Sequence, residues 1–403
     1  MTIAFAASVL AALIFGVVFV RYGEHRRSLA VLGIVLPVIF LGPSAYYAFD
    51  GTAYRVFTSD ALDAYRWVSC AVFLIATLAF VFRNRVVESR LPDREVNDPS
   101  GDSPTVRAYL AFVALAVVVY VLVFLPRWPV VNLITDGELI RRPDSSGSIP
   151  FFFTASALTH VVLPSAYLLF REKLSTWAHL AALAGVATLL ALPGHTGIVA
   201  FFFIFIWVYV FDAKFDRRLV AIVAVLLLAF AISKGSASLE IATWASLAAS
   251  AVRRFFVTQG AGMIVRISMV SSGFAFGSEP IKNSVFEVIY GRADGSAPTH
   301  FIGDLIVRWG YGAAIASFVV FMAIVVVLGT IVDKWYRGNL FLTWHLYVVL
   351  YFFAMSEIGT ANLLRLLVVV VNLTLVMFVL PRLHLERVRG FRWLNRLAEP
   401  APG

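Results

Sequence analysis

The sequence predicts an all-α, polytopic membrane protein. Hydrophobic residues fill 60% of the 403 positions, charged residues only 14%, and the mean hydropathy is +0.86, far from the composition of soluble globular domains. Apolar stretches approaching the roughly 20 residues that a helix needs to cross a bilayer recur from end to end. They lack the alternation of barrel strands, which excludes a transmembrane β-barrel.

Eleven of these stretches are expected to be membrane-spanning helices, at residues 2–20, 28–48, 66–82, 108–125, 150–170, 176–192, 197–211, 219–233, 310–332, 340–356 and 364–380. The first lacks the basic start and the small-residue cleavage site of a signal peptide, so it is expected to remain as an anchor. The chain then has four parts: helices one to eight in residues 1–233, a large loop with amphipathic helices at 234–309, three further helices in 310–381, and a basic tail at 382–403.

The distribution of Lys and Arg predicts the orientation in the membrane. The loops after spans one, three, five, seven and nine, together with the C-terminal tail, hold 20 of the 33 basic residues. Such an excess marks the cytoplasmic side. The N-terminus and the large loop are therefore expected outside, and the C-terminus in the cytoplasm.

The overall charge of +9 is explained by this topology and by anionic lipid, so we expect no nucleic-acid partner. The single cysteine, Cys70, falls within the third span, which excludes an intramolecular disulfide. The seven histidines show no paired ligand spacing, so no metal site is expected.

The large loop has a pattern of its own. Residues 236–259 carry apolar side chains at roughly helical spacing, which predicts an amphipathic helix on the membrane face, with Arg253 and Arg254 near its end. A hinge is expected at residues 260–262, followed by a helix over 263–270. That helix contains Arg266, and an arginine among apolar residues needs a partner.

Two further segments are expected on the outer face. Residues 126–144 include Arg142 and form either an interfacial loop or one wall of a cleft for an anionic or sugar substrate. The turn Pro193-Gly-His195-Thr-Gly197 places a histidine between glycines, where it either caps a helix or donates to a ligand.

The segment from Pro298 to Gly312 leads into the ninth span. His300 and Asp304 stand four residues apart, which predicts a shared helical face. Gly310 and Gly312 are expected to allow close packing against a neighbouring helix.

The order of these features resembles the bacterial O-antigen polymerase (Wzy) and O-antigen ligase superfamily. This chain and the family share many spans joined by short loops, one large loop with an Arg-bearing helix before a Gly/Pro break, and a His that leads into a Gly-x-Gly helix. The resemblance covers mainly residues 190–330. It departs from the family pattern in that no leucine follows Arg266 within its helix, the glycines after His300 lie on either side of the family position, and His195 stands where the family often has arginine.

The resemblance implies a glycosyltransferase of GT-C-like architecture that joins oligosaccharide repeat units carried on polyprenyl diphosphate. It would act at the periplasmic face of the inner membrane, without metal or other cofactor. Its partners would be the lipid-linked oligosaccharide, membrane lipids and, where chain length is controlled, a chain-length regulator.

Such a reaction needs stabilisation of a departing diphosphate and removal of a proton from a sugar hydroxyl. Guanidinium groups match phosphate oxygens, so Arg266 is the expected diphosphate ligand. Residues expected to assist in diphosphate or sugar binding are Arg253, Arg254, Arg292, His195 and Arg142. His300 is the expected base with Asp304 as its orienting partner, and Glu279 or Glu287 is the alternative base.

Two other functions fit the same pattern. A ligase of the superfamily would transfer finished glycan to another lipid and would share these residues. A secondary transporter of anionic lipid or sugar would normally place its charges near the midplane and show repeat symmetry. The histidines at 160 and 345, inside predicted spans, serve either packing or function.

Overall fold

The computed structural model describes residues 2–49, 51–52, 54–92, 104–124, 135, 157–171, 196–214, 257–274, 276, 281–291, 297, 300–336, 339–354 and 360–379. Every regular element in these ranges is helical, which confirms the all-α prediction. In chain order the helices are α1 (Ile3–Arg21), α2 (Leu32–Phe40), α3 (Gly42–Ala48), α4 (Ser59–Phe82), α5 (Pro104–Phe124), α6 (Leu163–Phe170), α7 (Thr196–Tyr209), α8 (Thr258–Ser271), α9 (Ile281–Tyr290), α10 (Phe301–Trp335), α11 (Leu340–Ala354) and α12 (Thr360–Thr374).

Three helical stretches in the described ranges are long and apolar enough to cross a membrane: Ile3–Arg21, Ser59–Arg90 and Phe301–Trp335. Six further apolar helices there have 10–17 residues. These helices and the composition indicate a membrane protein, while the count of eleven spans stays a prediction. The expected spans at 176–192 and 219–233 lie outside the described residues.

Two of the long helices begin earlier than the hydropathy predicts. Helix α4 starts at Ser59 rather than at residue 66, because the Thr58 hydroxyl accepts from the Ala61 N–H at 3.2 Å and caps the first turn. Helix α10 starts at Phe301 rather than at residue 310. In both helices charged residues interrupt the first turns, namely Asp60 and Asp63 in α4 and Asp304 and Arg308 in α10, and a hydropathy criterion therefore excludes these turns.

Helices α1 and α4 run parallel and pack against each other along their length. Phe15 and Phe19 on α1 pack against Phe73 and Phe80 on α4, with ring centroids between 5.5 and 5.9 Å apart across the pair. Each such aromatic pair contributes about 0.5–1.5 kcal/mol beyond the area it buries. Buried aromatic rings therefore fix the register of the two helices.

A proline break between α2 and α3 is satisfied by side chains of α4. Pro43 has no N–H to donate to the carbonyl of Ile39, four residues earlier. The hydroxyl of Tyr65 donates to that oxygen at 2.7 Å, and the hydroxyl of Ser69 donates to the Phe40 oxygen at 3.2 Å. An unpaired carbonyl is costly in an apolar interior, so these two hydroxyls anchor the break to α4.

The two ends of the bundle carry different polar groups. At one end the buried guanidinium of Arg83 bonds to Glu24 and Asp333, and its Nε donates to Thr330 at 3.1 Å. Burial raises the pKa of Glu24 despite the neighbouring arginines. Glu24, Arg83 and Asp333 belong to the segments that follow the first, third and ninth predicted spans, which the count of basic residues places on the same side of the membrane. We call the end of the bundle that holds these three residues the inner end. The opposite end, with Thr2 and His300, is the outer end.

A second polar network lies among the later helices. Asn372 on α12 accepts from the Tyr109 hydroxyl at 2.8 Å, and its amide nitrogen lies 2.8 Å from Nε2 of His345. Nδ1 of His345 lies 2.7 Å from the Phe341 oxygen. His345 therefore has partners at both ring nitrogens, which supports the packing interpretation of this histidine.

Candidate functional site

Helix α8 carries the loop arginine and packs tightly onto the bundle. A Cβ atom on Gly260 would lie 2.1 Å from Pro43 Cγ and 2.7 Å from the Tyr65 hydroxyl. Glycine is required here because the backbone approaches α3 and α4 more closely than a side chain permits. The predicted hinge at residues 260–262 is wrong, since α8 begins at Thr258 and runs through both glycines.

Arg266 is fully buried and joins three segments of the chain. Its Nε donates to Asp304 Oδ1 on α10, Nη1 to the Gly262 oxygen one turn earlier on α8, and Nη2 to the Ala297 oxygen, each at 3.0 Å. The expectation that this arginine needs a partner is confirmed. Its role as a diphosphate ligand stays a prediction, because here the guanidinium holds the loop helix against α10.

The surroundings of this ion pair are apolar. Five buried residues form a small core around it, and they are Val265, Met269, Ile281, Val285 and Ala297. A charge pair in such a setting contributes little net stability, but removal of one member leaves the other charge buried without this ion pair, at a cost of about 3–5 kcal/mol. The positions of α8, α9 and the start of α10 therefore depend on one another.

His300 caps the start of α10. Its φ of −59° and ψ of 142° are not helical, and its Nδ1 accepts a hydrogen bond from the Ile302 N–H at 3.3 Å. An Nδ1 atom that accepts carries no proton, so the proton of the neutral ring is assigned to Nε2.

The environment of His300 is aromatic. Its ring centroid lies 4.9 Å from that of Phe40, 4.7 Å from Phe301 and 6.2 Å from Phe318. Burial lowers the pKa of His300 to about 3, so the ring is neutral at physiological pH. A neutral imidazole has a lone pair that can accept a proton, but a pKa this far below neutrality makes it a weak base in the substrate-free protein.

His300 also lines a small cavity of about 20 Å³ between α2, α7, α10 and α11. That volume is close to what one water molecule needs. The other lining residues are Leu32, Val35, Leu36, Ile39, Phe201, Phe321, Met322, Tyr347, Leu350 and Tyr351. The histidine thus lies at the boundary between the loop helices and the interior of the bundle.

The expected pairing of His300 with Asp304 does not occur. Asp304 is bonded to Arg266, while the ring of His300 bonds to its own helix. A shared helical face requires both residues to be helical, and His300 precedes the first helical residue. The prediction from i, i+4 spacing is wrong for this reason.

The two glycines after His300 also act differently from the expectation. A Cβ at Gly310 or Gly312 would meet nothing within 4 Å among the described residues, so neither glycine packs closely against a helix in the described ranges. Gly310 has φ 78° and ψ 176°, outside the helical region, and it kinks α10. Its conformational freedom separates the first nine residues of α10 from the long apolar part.

The remaining predicted site residues cannot be placed, since Arg142, His195, Arg253, Arg254, Arg292 and Glu279 lie outside the described residues. The amphipathic helix expected at 236–259 falls almost wholly outside them too. Glu287 is exposed on α9. Within the described ranges, no group of three His, Cys, Asp or Glu residues is arranged to hold a metal ion.

Sequence reasoning missed the loop before α4, which borders the site. The N–H of Thr58 donates to the Ser268 hydroxyl on α8 at 3.3 Å, and the ring of Tyr54 lies 5.7 Å from that of Tyr290 on α9. The sequence signals Thr58 as a helix cap, but no local pattern indicates what the loop contacts.

Sequence reasoning also assigned no role to Arg308. This arginine is exposed on α10 and has no ion pair with any described residue.

These contacts assemble one outer site from α3, α4, α8, α9 and α10, with a neutral histidine beside a buried arginine–aspartate pair. The chain matches no protein-family model, no curated protein and no solved structure.

Proposed function

We propose that the chain is a metal-independent membrane glycosyltransferase that joins polyprenyl-diphosphate-linked oligosaccharide repeat units at the outer face of the bacterial inner membrane. The observation that carries the proposal is the docking of the Arg266 helix onto the His300-capped start of α10. The proposal is supported because this docking brings a neutral histidine and one helix of the loop, the helix that carries Arg266, to one end of an apolar bundle. A reaction between a sugar hydroxyl and an amphiphilic diphosphate needs both.

The chemistry is a substitution at an anomeric carbon. The hydroxyl oxygen of the acceptor sugar forms a bond to the anomeric carbon of the donor glycan, and the bond from that carbon to the diphosphate oxygen breaks. The diphosphate leaves with the electron pair, and the hydroxyl proton goes to a base. No oxidant, reductant or nucleotide is consumed.

His300 is the proposed base. Its Nδ1 lone pair is held by the Ile302 N–H at 3.3 Å, which is a long hydrogen bond. Nδ1 of His300 can take the proton from the hydroxyl of the acceptor sugar if that hydroxyl displaces the hydrogen bond from the Ile302 N–H. Burial holds the pKa of this ring well below neutrality, so the proposed step requires the diphosphate of the substrate to raise it, as a neighbouring anion does for an imidazole.

The arginines divide into two roles in this proposal. Arg266 is a positioning residue, because its guanidinium donates hydrogen bonds to Asp304 and to the backbone oxygens of Gly262 and Ala297. Contact with the diphosphate falls to exposed cations on the outer face. Arg308 is one of these, and Arg253, Arg254 and Arg292 are proposed to join it.

The test uses the purified full-length protein with a lipid-diphosphate-linked repeat unit, without ATP and with a metal chelator present. We expect longer glycans from the wild type, none from His300→Asn, and wild-type activity from Glu287→Gln, which removes the alternative base. If His300→Asn keeps its activity and Glu287→Gln loses it, the base is Glu287 and not His300.

Deletion of the gene separates the polymerase from the ligase. Single-repeat glycan on the cell surface indicates a lost polymerase, while loss of all glycan from the lipid core indicates a lost ligase. Normal surface glycan together with no activity in the purified protein would reject both.

A further inference from the structure

The two parts of α10 fold back against each other. The ring centroid of Phe301 lies 6.4 Å from that of Phe318 and 5.2 Å from that of Phe321, which follow it by 17 and 20 positions. In a continuous helix, which rises about 1.5 Å per residue, their backbones would be about 25 and 30 Å apart. Gly310, with φ 78° and ψ 176°, is therefore the apex of a V. The V places His300 beside the long part of α10 rather than beyond its end.

The ring of His300 is enclosed by residues of α10 and of α2. Phe318, on the long part of α10, has its ring centroid 6.2 Å away. Phe40, the last residue of α2, has its ring centroid 4.9 Å away, with the two ring planes at 71°. Ile39, which precedes Phe40, lines the small cavity that His300 also lines. Ile39 and Phe40 form one wall of the space around His300, and we call these two residues the α2 wall.

The α2 wall is held by hydroxyl groups of α4 instead of by a continuous helix. Because Pro43 has no N–H, the Ile39 oxygen accepts from the Tyr65 hydroxyl at 2.7 Å. The Phe40 oxygen accepts from the Ser69 hydroxyl at 3.2 Å, and this hydroxyl is shared with the Tyr65 oxygen at 2.8 Å. Tyr65 is fully buried, so water does not compete for its bond. The Tyr65 hydroxyl therefore has the larger part in fixing the position of the wall.

We infer that Tyr65 and Ser69 are positioning residues for His300, which they hold in place through the α2 wall. Loss of either hydroxyl leaves a carbonyl at the end of α2 without its donor, and a buried carbonyl in that state takes up water or shifts to another donor. Either change moves Phe40 and admits water to the His300 ring. The reaction that His300 serves is that of the proposed function, on which this role rests, while the placement of the ring rests on the contacts alone.

The test compares Tyr65→Phe with Tyr109→Phe in the full-length protein in detergent. Each variant loses one buried hydroxyl group, and the Tyr109 hydroxyl donates to Asn372 at 2.8 Å in the separate network around His345. Thermal unfolding is expected to show similar losses of stability for the two variants. If Tyr65 contributes to stability alone, the two variants will be alike in every other measurement.

The first readout is the pKa of His300, measured by NMR of the histidine-labelled protein from pH 8 to 4, with the His300→Asn spectrum to identify its signal. Burial lowers this pKa to about 3, so the wild type and Tyr109→Phe should show a neutral ring throughout. Tyr65→Phe should raise the pKa to about 4.5 or higher, since water that reaches the ring stabilises its charged form. Equal titration of His300 in Tyr65→Phe and Tyr109→Phe would overturn the inference.

Ser69→Ala gives a second, milder comparison in case Tyr65→Phe does not fold. Its control is Ser8→Ala, which removes a buried serine hydroxyl that donates to the Phe5 oxygen at 2.8 Å on α1. Ser69→Ala should also raise the pKa of His300, but by less than Tyr65→Phe, because the Ser69 hydroxyl is shared between two oxygens. Equal titration of His300 in Ser69→Ala and Ser8→Ala would contradict the hold of the hydroxyls on the α2 wall.

Glycan formation separates the positioning role from the proposed function. Tyr65→Phe is expected to lower kcat about tenfold or more with KM within about twofold of the wild type, because a displaced base acts slowly on a bound substrate. Tyr109→Phe should keep both constants. If the wild type forms glycan and the two variants have the same kcat, the positioning role is wrong and the proposed function stands. If Tyr65→Phe raises the pKa of His300 but no form of the protein makes glycan, the proposed function is wrong and the hold of Tyr65 on His300 stands.

Discussion

Nε of Arg266 and Oδ1 of Asp304 lie 3.0 Å apart, with the two side chains 0% and 4% exposed. The residues are 38 positions apart in sequence. Their bond closes the segment that contains α9 and brings the loop helix α8 onto the start of α10. The most conspicuous charge of the large loop therefore determines where the loop packs, and this relationship leads to the first prediction.

Replacing either partner of this pair is expected to destabilise the protein. Arg266→Ala and Asp304→Ala should each cost about 3–5 kcal/mol, because each removes one member of a buried ion pair and leaves the other in an apolar setting. The double variant Arg266→Met/Asp304→Leu should recover most of the loss, since apolar side chains then replace both members of the pair. Thermal unfolding in detergent measures this, with Arg308→Gln as an exposed control. Additive losses in the double variant would contradict the interpretation as a buried pair.

Gly260→Ala is expected to displace α8 from the bundle. The added Cβ would lie 2.1 Å from Pro43 Cγ, and overpacking of this kind costs about 1–3 kcal/mol. Gly312→Ala is the matched control, because its Cβ meets no described atom within 4 Å. Proteolysis of residues around α8 should accelerate in the first variant and not in the second. Equal protection in both would show that α8 does not pack closely here.

His300→Asn separates the capping role of this residue from its proposed chemistry. Asparagine is a good N-cap, whereas alanine at such a position costs about 0.5–2 kcal/mol. We expect His300→Asn to retain near-wild-type thermal stability and to lose glycan formation, and His300→Ala to lose both. A His300→Asn protein that keeps its activity would show that the histidine is needed only for the helix.

The stability of the protein is expected to depend on pH through His300. Burial lowers its pKa to about 3 in the folded state, against an ordinary value of 6.5. The unfolded state therefore binds more protons between these values, so the stability present above pH 6.5 is lost as pH falls towards 3. At pH 5.5 the loss from this group is about 1.4 kcal/mol.

The measurement for this prediction is the difference between wild type and His300→Asn in unfolding free energy from pH 7.5 to 5. The wild type should lose more stability than the variant as pH falls, and the other histidines cancel in the comparison. If the unfolding free energies of the wild type and His300→Asn fall in parallel with pH, the pKa of His300 is not lowered in the folded state.

The sequence by itself determined the class of the protein and most of its helices. Hydropathy identified α1, α5 and the long part of α10, and the position of Arg266 in an apolar helix was sufficient to require a buried partner. These are local properties: a run of apolar side chains, or a charge that cannot remain alone among them. The helix over 263–270 was predicted for the same reason, and its true start at Thr258 was missed because two glycines suggested a hinge.

Only the tertiary structure decided what those residues contact. Position 260 needs glycine because Pro43 and Tyr65 leave no room for a side chain, and Asp304 bonds to Arg266, which lies 38 residues earlier, rather than to His300. His300 caps its helix instead of joining its face, and Gly310 kinks the helix instead of packing it. Each outcome depends on partners far away in the chain, and local spacing carries no information about them.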